Sequence, residues 1–128
     1  ERPGGGTIQL FVKKKKKWQL TGAIPLPETL RFSDYSGLDI SSDNILAVSS
    51  QASSALWIGK LDAEKWETVG SGSVYTFPKD KEGRTLYCNV EGVSWIDSHN
   101  LVVVSDARKK SQPKRCKMKA QSIHIVKF

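Results

Sequence analysis

Short runs of alternating or continuous apolar residues, separated by polar turn clusters, make up most of this chain. Thr7-Ile8-Gln9-Leu10-Phe11-Val12 alternates well enough for a β-strand. Lys13 to Lys17 then makes a turn, and Trp18-Gln19-Leu20-Thr21 begins the returning strand. Tyr35 to Ser50 and Tyr87 to Asp106 each read as two strands about a polar turn. In the second of these, Val93, Trp95 and Leu101 to Val104 are β-branched, aromatic or aliphatic, and Asp97 to Asn100 supplies the turn residues. Ala55 to Leu61, a charged turn from Asp62 to Lys65, and Trp66 to Val69 form a further hairpin, and Gln121 to Phe128 a last strand. No stretch combines helical periodicity with caps, so little or no helix is expected.

The pattern repeats. Adding 48 carries Ile8 to Leu56, Leu10 to Ile58, Lys17 to Lys65 and Trp18 to Trp66. In the other hairpin type Gly37 matches Gly92, Asn44 matches Asn100, and Val48-Ser49 matches Val104-Ser105, so that Ser36 and Ser50 stand where Glu91 and Asp106 do. With the strands of a unit labelled a to d, the chain runs c-d, a-b-c-d, a-b-c, with proline-marked links at Pro25, Pro27 and Pro78 and an insertion from Ala107 to Ala120. The reading is one all-β domain over 7–128, with units at about 7–50 and 55–106 and a last strand over 121–128, after a flexible Gly-rich lead-in over 1–6. Four antiparallel strands in a repeat of about 40–55 residues are the mark of a β-propeller blade. A propeller closes with about four to eight blades, and this chain holds about two, an incomplete ring. The expected partner is therefore the remainder of a longer propeller, or other copies of the chain, because bare edges and apolar faces need covering. A closed β-sandwich or barrel is the alternative.

Val90-Glu91-Gly92-Val93-Ser94-Trp95-Ile96 followed by Asn100-Leu101-Val102-Val103-Val104-Ser105-Asp106 resembles a blade start in the SdiA-regulated and phytase- or esterase-like propellers. More distantly it is similar to the regucalcin- and strictosidine-synthase-like proteins. The resemblance covers about 20 residues strongly and the Tyr35–Ser50 copy weakly; it speaks to architecture more than activity, since propellers host enzymes and binding scaffolds alike. In regucalcin-like enzymes the glutamate of this motif binds a divalent metal at the channel mouth, which implies that role for Glu91. Asp106 is expected at the same end of its hairpin as Glu91, away from the Asp97–Asn100 turn, and Asn89, Ser105 and Asp34 could add oxygens for calcium or another hard divalent ion. On that reading the protein is a metal-dependent hydrolase of the esterase, lactonase or phosphoesterase kind, in part only. The catalytic residues stay unknown: His99 falls in a turn and His124 between two isoleucines, and neither a nucleophile elbow nor a phosphate loop is present.

Charge changes the picture in favour of binding. The net charge is +7, concentrated in Lys13, Lys14, Lys15, Lys16 and Lys17 and in Arg108, Lys109, Lys110, Lys114, Arg115, Lys117 and Lys119. Such clusters attract polyanions by long-range fields and counterion release, and in the plainer reading they are solvated loops. The leading expectation is thus a non-catalytic binding module for a polyanion or a protein. No apolar run nears the ~20 residues of a membrane helix, so no membrane partner is expected. Two cysteines, Cys88 and Cys116, can pair but do not make a disulfide framework, which favours a reducing, intracellular setting. The four tryptophans, Trp18, Trp57, Trp66 and Trp95, are expected to pack between blades.

Overall fold

The computed structural model describes residues 5–128, so most of the expected lead-in lies outside the described residues. The chain is all-β. Its strands are β1 (Gly6–Lys14), β2 (Lys17–Leu26), β3 (Gly37–Ile40), β4 (Ile45–Ser50), β5 (Ala55–Asp62), β6 (Glu67–Thr76), β7 (Val90–Trp95), β8 (Asn100–Ser105) and β9 (Ser122–Lys127). One 3₁₀ turn, Lys114–Lys119, is the only helix among the described residues, and no helix there is long and apolar enough to cross a membrane. Pairing is antiparallel throughout, in three separate sheets ordered β1-β2, β3-β4-β5-β6 and β7-β8-β9. None closes on itself. This is the c-d, a-b-c-d, a-b-c plan, an all-β fold of incomplete blades. The sheets are cut differently from the sequence units, because β4 pairs with β5 across residues 50–55.

The middle sheet is covered on both faces. Leu46, Val48, Trp57 and Leu61 pack one face against Ile24 and Leu26 of β2 and against Leu30. Ala47 and Leu56 pack the other against Val90, Leu101 and Val103 of the last sheet, with Phe77. Burial on both faces is why Ile45 to Val48 is a continuous apolar run rather than an alternating one. The second and third sheets also meet at their first strands. A Cβ on Gly37 would lie 2.8 Å from Ser49 Oγ and 3.1 Å from the Val93 nitrogen, so only glycine permits that approach. Beside it, Asp39 accepts hydrogen bonds from the Trp95 amide at 2.7 Å and from Ser94 Oγ at 2.9 Å.

Both hairpins built from strands c and d break register at matching places. The shift follows Leu10 in β1 and Ile58 in β5, 48 residues apart. Their turns differ: Lys14 pairs with Lys17, but Asp62 pairs with Glu67, so the second loop is two residues longer. That corrects two matches, since Lys17 corresponds to Glu67 rather than Lys65. Trp66 lies in the turn at φ 55° rather than in a strand, and the structural counterpart of Trp18 is Thr68. The a-b hairpins need a correction of one residue as well. Gly37 opposes Ser49 and Gly92 opposes Val104, an offset of 55 in both strands. Asn44 therefore corresponds to His99, Ser50 to Ser105 and Gln51 to Asp106. The expected tryptophan packing holds for Trp57, fully buried with Nε1 donating to Ser71 O at 2.9 Å, and for half-buried Trp95, whose Nε1 donates to Ile45 O at 3.0 Å. It fails for Trp18 and Trp66, which are exposed because their hairpins project beyond the core.

Two expectations follow. The hydrogen bonds to Asp39 from Trp95, Ser94 and the Ile40 amide outweigh the upward push of burial and hold its carboxyl below the ordinary aspartate value. A group depressed in the folded state stabilises in full above its unfolded pKa of about 3.9, and that stability is lost as pH falls through the folded value. Asp39→Asn should therefore narrow the gap in urea midpoint between pH 6 and pH 3; an unchanged gap would show that the Asp39 charge contributes nothing. Separately, among the described residues no strand pairs with the outer side of β9, which exposes Ile123 and Ile125 (73% and 61%). Free apolar edges drive association, so light scattering should show concentration-dependent growth that Ile123→Lys with Ile125→Lys suppresses.

Candidate functional site

Three connections converge where β4 and β8 end and β7 begins. The first is the turn after β4, held by Asp34: its Oδ1 accepts from Ser50 Oγ at 2.6 Å and from the Ala52 amide at 3.0 Å. Asn89 sits 55 residues further on and holds the corresponding connection after β8, donating Nδ2 to Ala107 O at 2.8 Å. Its amide oxygen accepts from Gln51 Nε2 and, at 3.3 Å, from Gln112 Nε2. Gln112 also donates to Cys88 O at 2.9 Å and accepts from the Lys109 amide at 2.8 Å. The Lys109 ammonium in turn donates to Gln51 Oε1 at 3.3 Å and lies 3.7 Å from Glu91 Oε1.

The long insertion is thus a folded structure. Arg108 Nη1 donates to the carbonyls of Lys109, Lys110 and Gln112, closing the loop around its own guanidinium. Arg115 Nε donates to Thr85 O at 3.1 Å. Cys116, on the 3₁₀ turn, is buried and disulfide-bonded to Cys88. The ammonium of Lys119 sits 5.5 Å from the centre of the Tyr87 ring, a favourable cation–π distance. The pairing that the sequence left open is made. An open cleft of ≈ 460 Å³ lies under the loop, lined by Asp34, Gln51, Gln112, Arg115 and the disulfide.

The sequence placed Glu91, Asp106 and Asn89 together as metal ligands. They do share one end of the β7–β8 hairpin: Val90 opposes Ser105, and the Asp106 amide donates to Asn89 O at 2.9 Å. Their side chains, however, are committed elsewhere. Asn89 is buried with both amide atoms in use, Glu91 faces Lys109, and Asp106 Oδ1 accepts from the next amide, Ala107, at 2.6 Å. Among the described residues no three His, Cys, Asp or Glu side chains are grouped to hold a metal. This donor set does not fit a hard divalent ion, which wants several convergent oxygens. Ser105 Oγ is buried without a partner among the described residues, whereas its counterpart Ser50 has Asp34; the change from Asp34 to Asn89 accompanies that loss.

The remaining candidates separate. His124 packs edge-on against Tyr87 and contacts Ser122 Oγ at 2.7 Å; burial and the Lys119 charge lower its pKa, keeping it neutral. His99 is exposed in its turn beside Ser98. Lys13 to Lys17 occupy the β1–β2 turn, all exposed. In the second basic cluster Arg108, Lys109, Arg115 and Lys119 have protein partners, leaving Lys110, Lys114 and Lys117 exposed and turned to solvent. Gln51 and Gln112, which tie the loop to the rim, carried no signal in the sequence, since an isolated glutamine in a turn has no pattern. The chain matches no protein-family model, no curated protein and no solved structure.

The disulfide closes 28 residues of sequence and anchors a loop with one buried side chain. Loop-closure entropy for that length is about 3–4 kcal/mol. Cys88→Ser with Cys116→Ser should lower unfolding stability by that order in urea titration and speed tryptic cleavage after Lys109 to Lys119. Equal cleavage rates with and without the bridge would show that the loop is held by its hydrogen bonds alone.

Proposed function

We propose that this chain is part of a β-propeller-type binding module that presents the Arg108–Lys119 loop to a polyanion. The observation that carries the reading is the order of that loop. Seven cations and no acid lie between Arg108 and Lys119, yet a disulfide, two glutamines and two arginines fold the segment against the rim. A run that served only solubility would need none of these, and crowding like charges on a fixed loop costs free energy that an anionic ligand recovers. The arginines act as fasteners, and Lys110, Lys114 and Lys117 face outward. Lysine ammoniums are compact point charges suited to phosphate or sulfate groups without strict geometry. The propeller reading is supported by the strand plan, by the repeated register shift after Leu10 and Ile58, and by the resemblance around Glu91 to Asp106.

Retention on a heparin column tests this. Each neutralised phosphate or sulfate contributes a slope of about 0.7–0.9 in log K against log salt. Lys110→Ala, Lys114→Ala and Lys117→Ala together should elute at much lower salt and reduce the slope by about 2 to 3, with the fold intact. Arg115→Ala should also weaken retention, but by loosening the loop, visible as faster proteolysis. If the triple variant elutes with the wild type, the loop is a solvated surface and the reading fails.

A further inference from the structure

The β1–β2 hairpin is a second basic element and differs in kind from the first. Between Thr7 and Pro27 there are five lysines and no acidic residue. Its base packs through Ile8, Leu10, Ile24 and Leu26 onto the middle sheet, and its outer half projects. Phe11 opposes Leu20 and Lys13 opposes Trp18. Directly opposed residues share a face, as do residues two apart along a strand. Phe11, Leu20 and Trp18 therefore form one apolar platform with Lys13 on the same face, exposed by 52%, 55% and 70% for the three apolar side chains. Lys14 and Lys17 oppose each other on the reverse face, and Lys15 and Lys16 cap the tip.

The repeat shows that this face is not prepared for a packed neighbour. Where β5 sets Trp57 and Leu61 into the core, β1 has Gln9 and Lys13, both exposed. A large aromatic left in water beside lysines, on a face whose other core positions have become polar, is shaped for a ligand that is both flat and anionic. We infer that the hairpin binds single-stranded nucleic acid, with a base stacked on Trp18 and phosphates held by Lys13 to Lys17. Aromatic stacking combined with a basic track is the general mode of sequence-tolerant strand binding. A flexible strand can follow lysines on both faces and around the tip. A flat membrane surface reaches only one face, and meets the lysine tip before the aromatics.

The inference rests on the polyanion reading for its electrostatics, and on Trp18 for its specificity. The probe is a fluorescent oligothymidylate of about 12 nucleotides, within the site sizes of single-strand binders, with heparin as a polyanion that has no bases. Trp18→Ala should weaken oligonucleotide binding about 5- to 150-fold, the loss of one stacked base, and leave heparin retention unchanged. Trp18→Phe should restore most of the affinity. Alanine at Lys13, Lys14, Lys16 and Lys17 should weaken both. If Trp18→Ala binds the oligonucleotide as the wild type does, the inference falls. If the oligonucleotide does not bind while heparin still does, it falls alone and the polyanion reading stands. Trp18-dependent capture on phosphatidylserine vesicles without oligonucleotide binding would also overturn it, in favour of a lipid surface.

Discussion

A sheet covered on both faces organises this molecule. β3 to β6 has no solvent side along β4 and the first half of β5, so it needs two covers. The β1–β2 hairpin supplies one and the β7–β9 sheet the other. Burying a large aliphatic or aromatic side chain contributes about 1.5–3 kcal/mol, and each face gathers several of them. Neither flanking sheet gains as much, because each has only one covered face. Double cover is confined to β4 and the first half of β5, and exposed apolar residues lie away from it: on β9, on the β1–β2 hairpin and on the outer strands β3 and β6 of the middle sheet.

Holding two sheets face to face also fixes the rim. β3 and β7 come close enough that Gly37 cannot carry a side chain, and Asp39 closes the gap by taking the Trp95 amide. With their starts side by side, Asp34 and Asn89 arrive at equivalent places and each manages the connection beyond its neighbouring strand. The short connection at Gln51 to Ser54 is held by Asp34, by Ser50 Oγ accepting from the Ser53 amide, and by Ser54 Oγ donating to Tyr87 O. The long one after Asp106 needs more, and receives a glutamine on each side, an arginine turned inward and a disulfide. The strong basic charge of that connection is then held in one place on the rim.

The two basic clusters are chemically distinct for the same reason. The loop cluster is fixed by partners in the rim, and its arginines donate to carbonyls where a directional donor is useful. The hairpin cluster contains only lysines, all exposed on a two-stranded ribbon. One is a basic loop tied into the rim and the other an exposed basic hairpin with an aromatic platform.

Period-two patterning, turn residues and the 48-residue offset determine the strands, their hairpins and the order c-d, a-b-c-d, a-b-c, because these depend on neighbours along the chain. The same local logic misplaced the second half of each repeat. A two-residue difference in turn length moves Trp66 out of its strand, and the a-b match slips by one, since glycine and serine matches do not register hydrogen bonds. That Cys88 meets Cys116, that Glu91 lies beside Lys109, and which lysines are free among twelve clustered cations were decided only by the tertiary structure. Each depends on groups far apart in sequence that the sheet stacking brings together, and a carboxylate's partner is set by what lies within a few ångströms of it, which no spacing along the chain encodes.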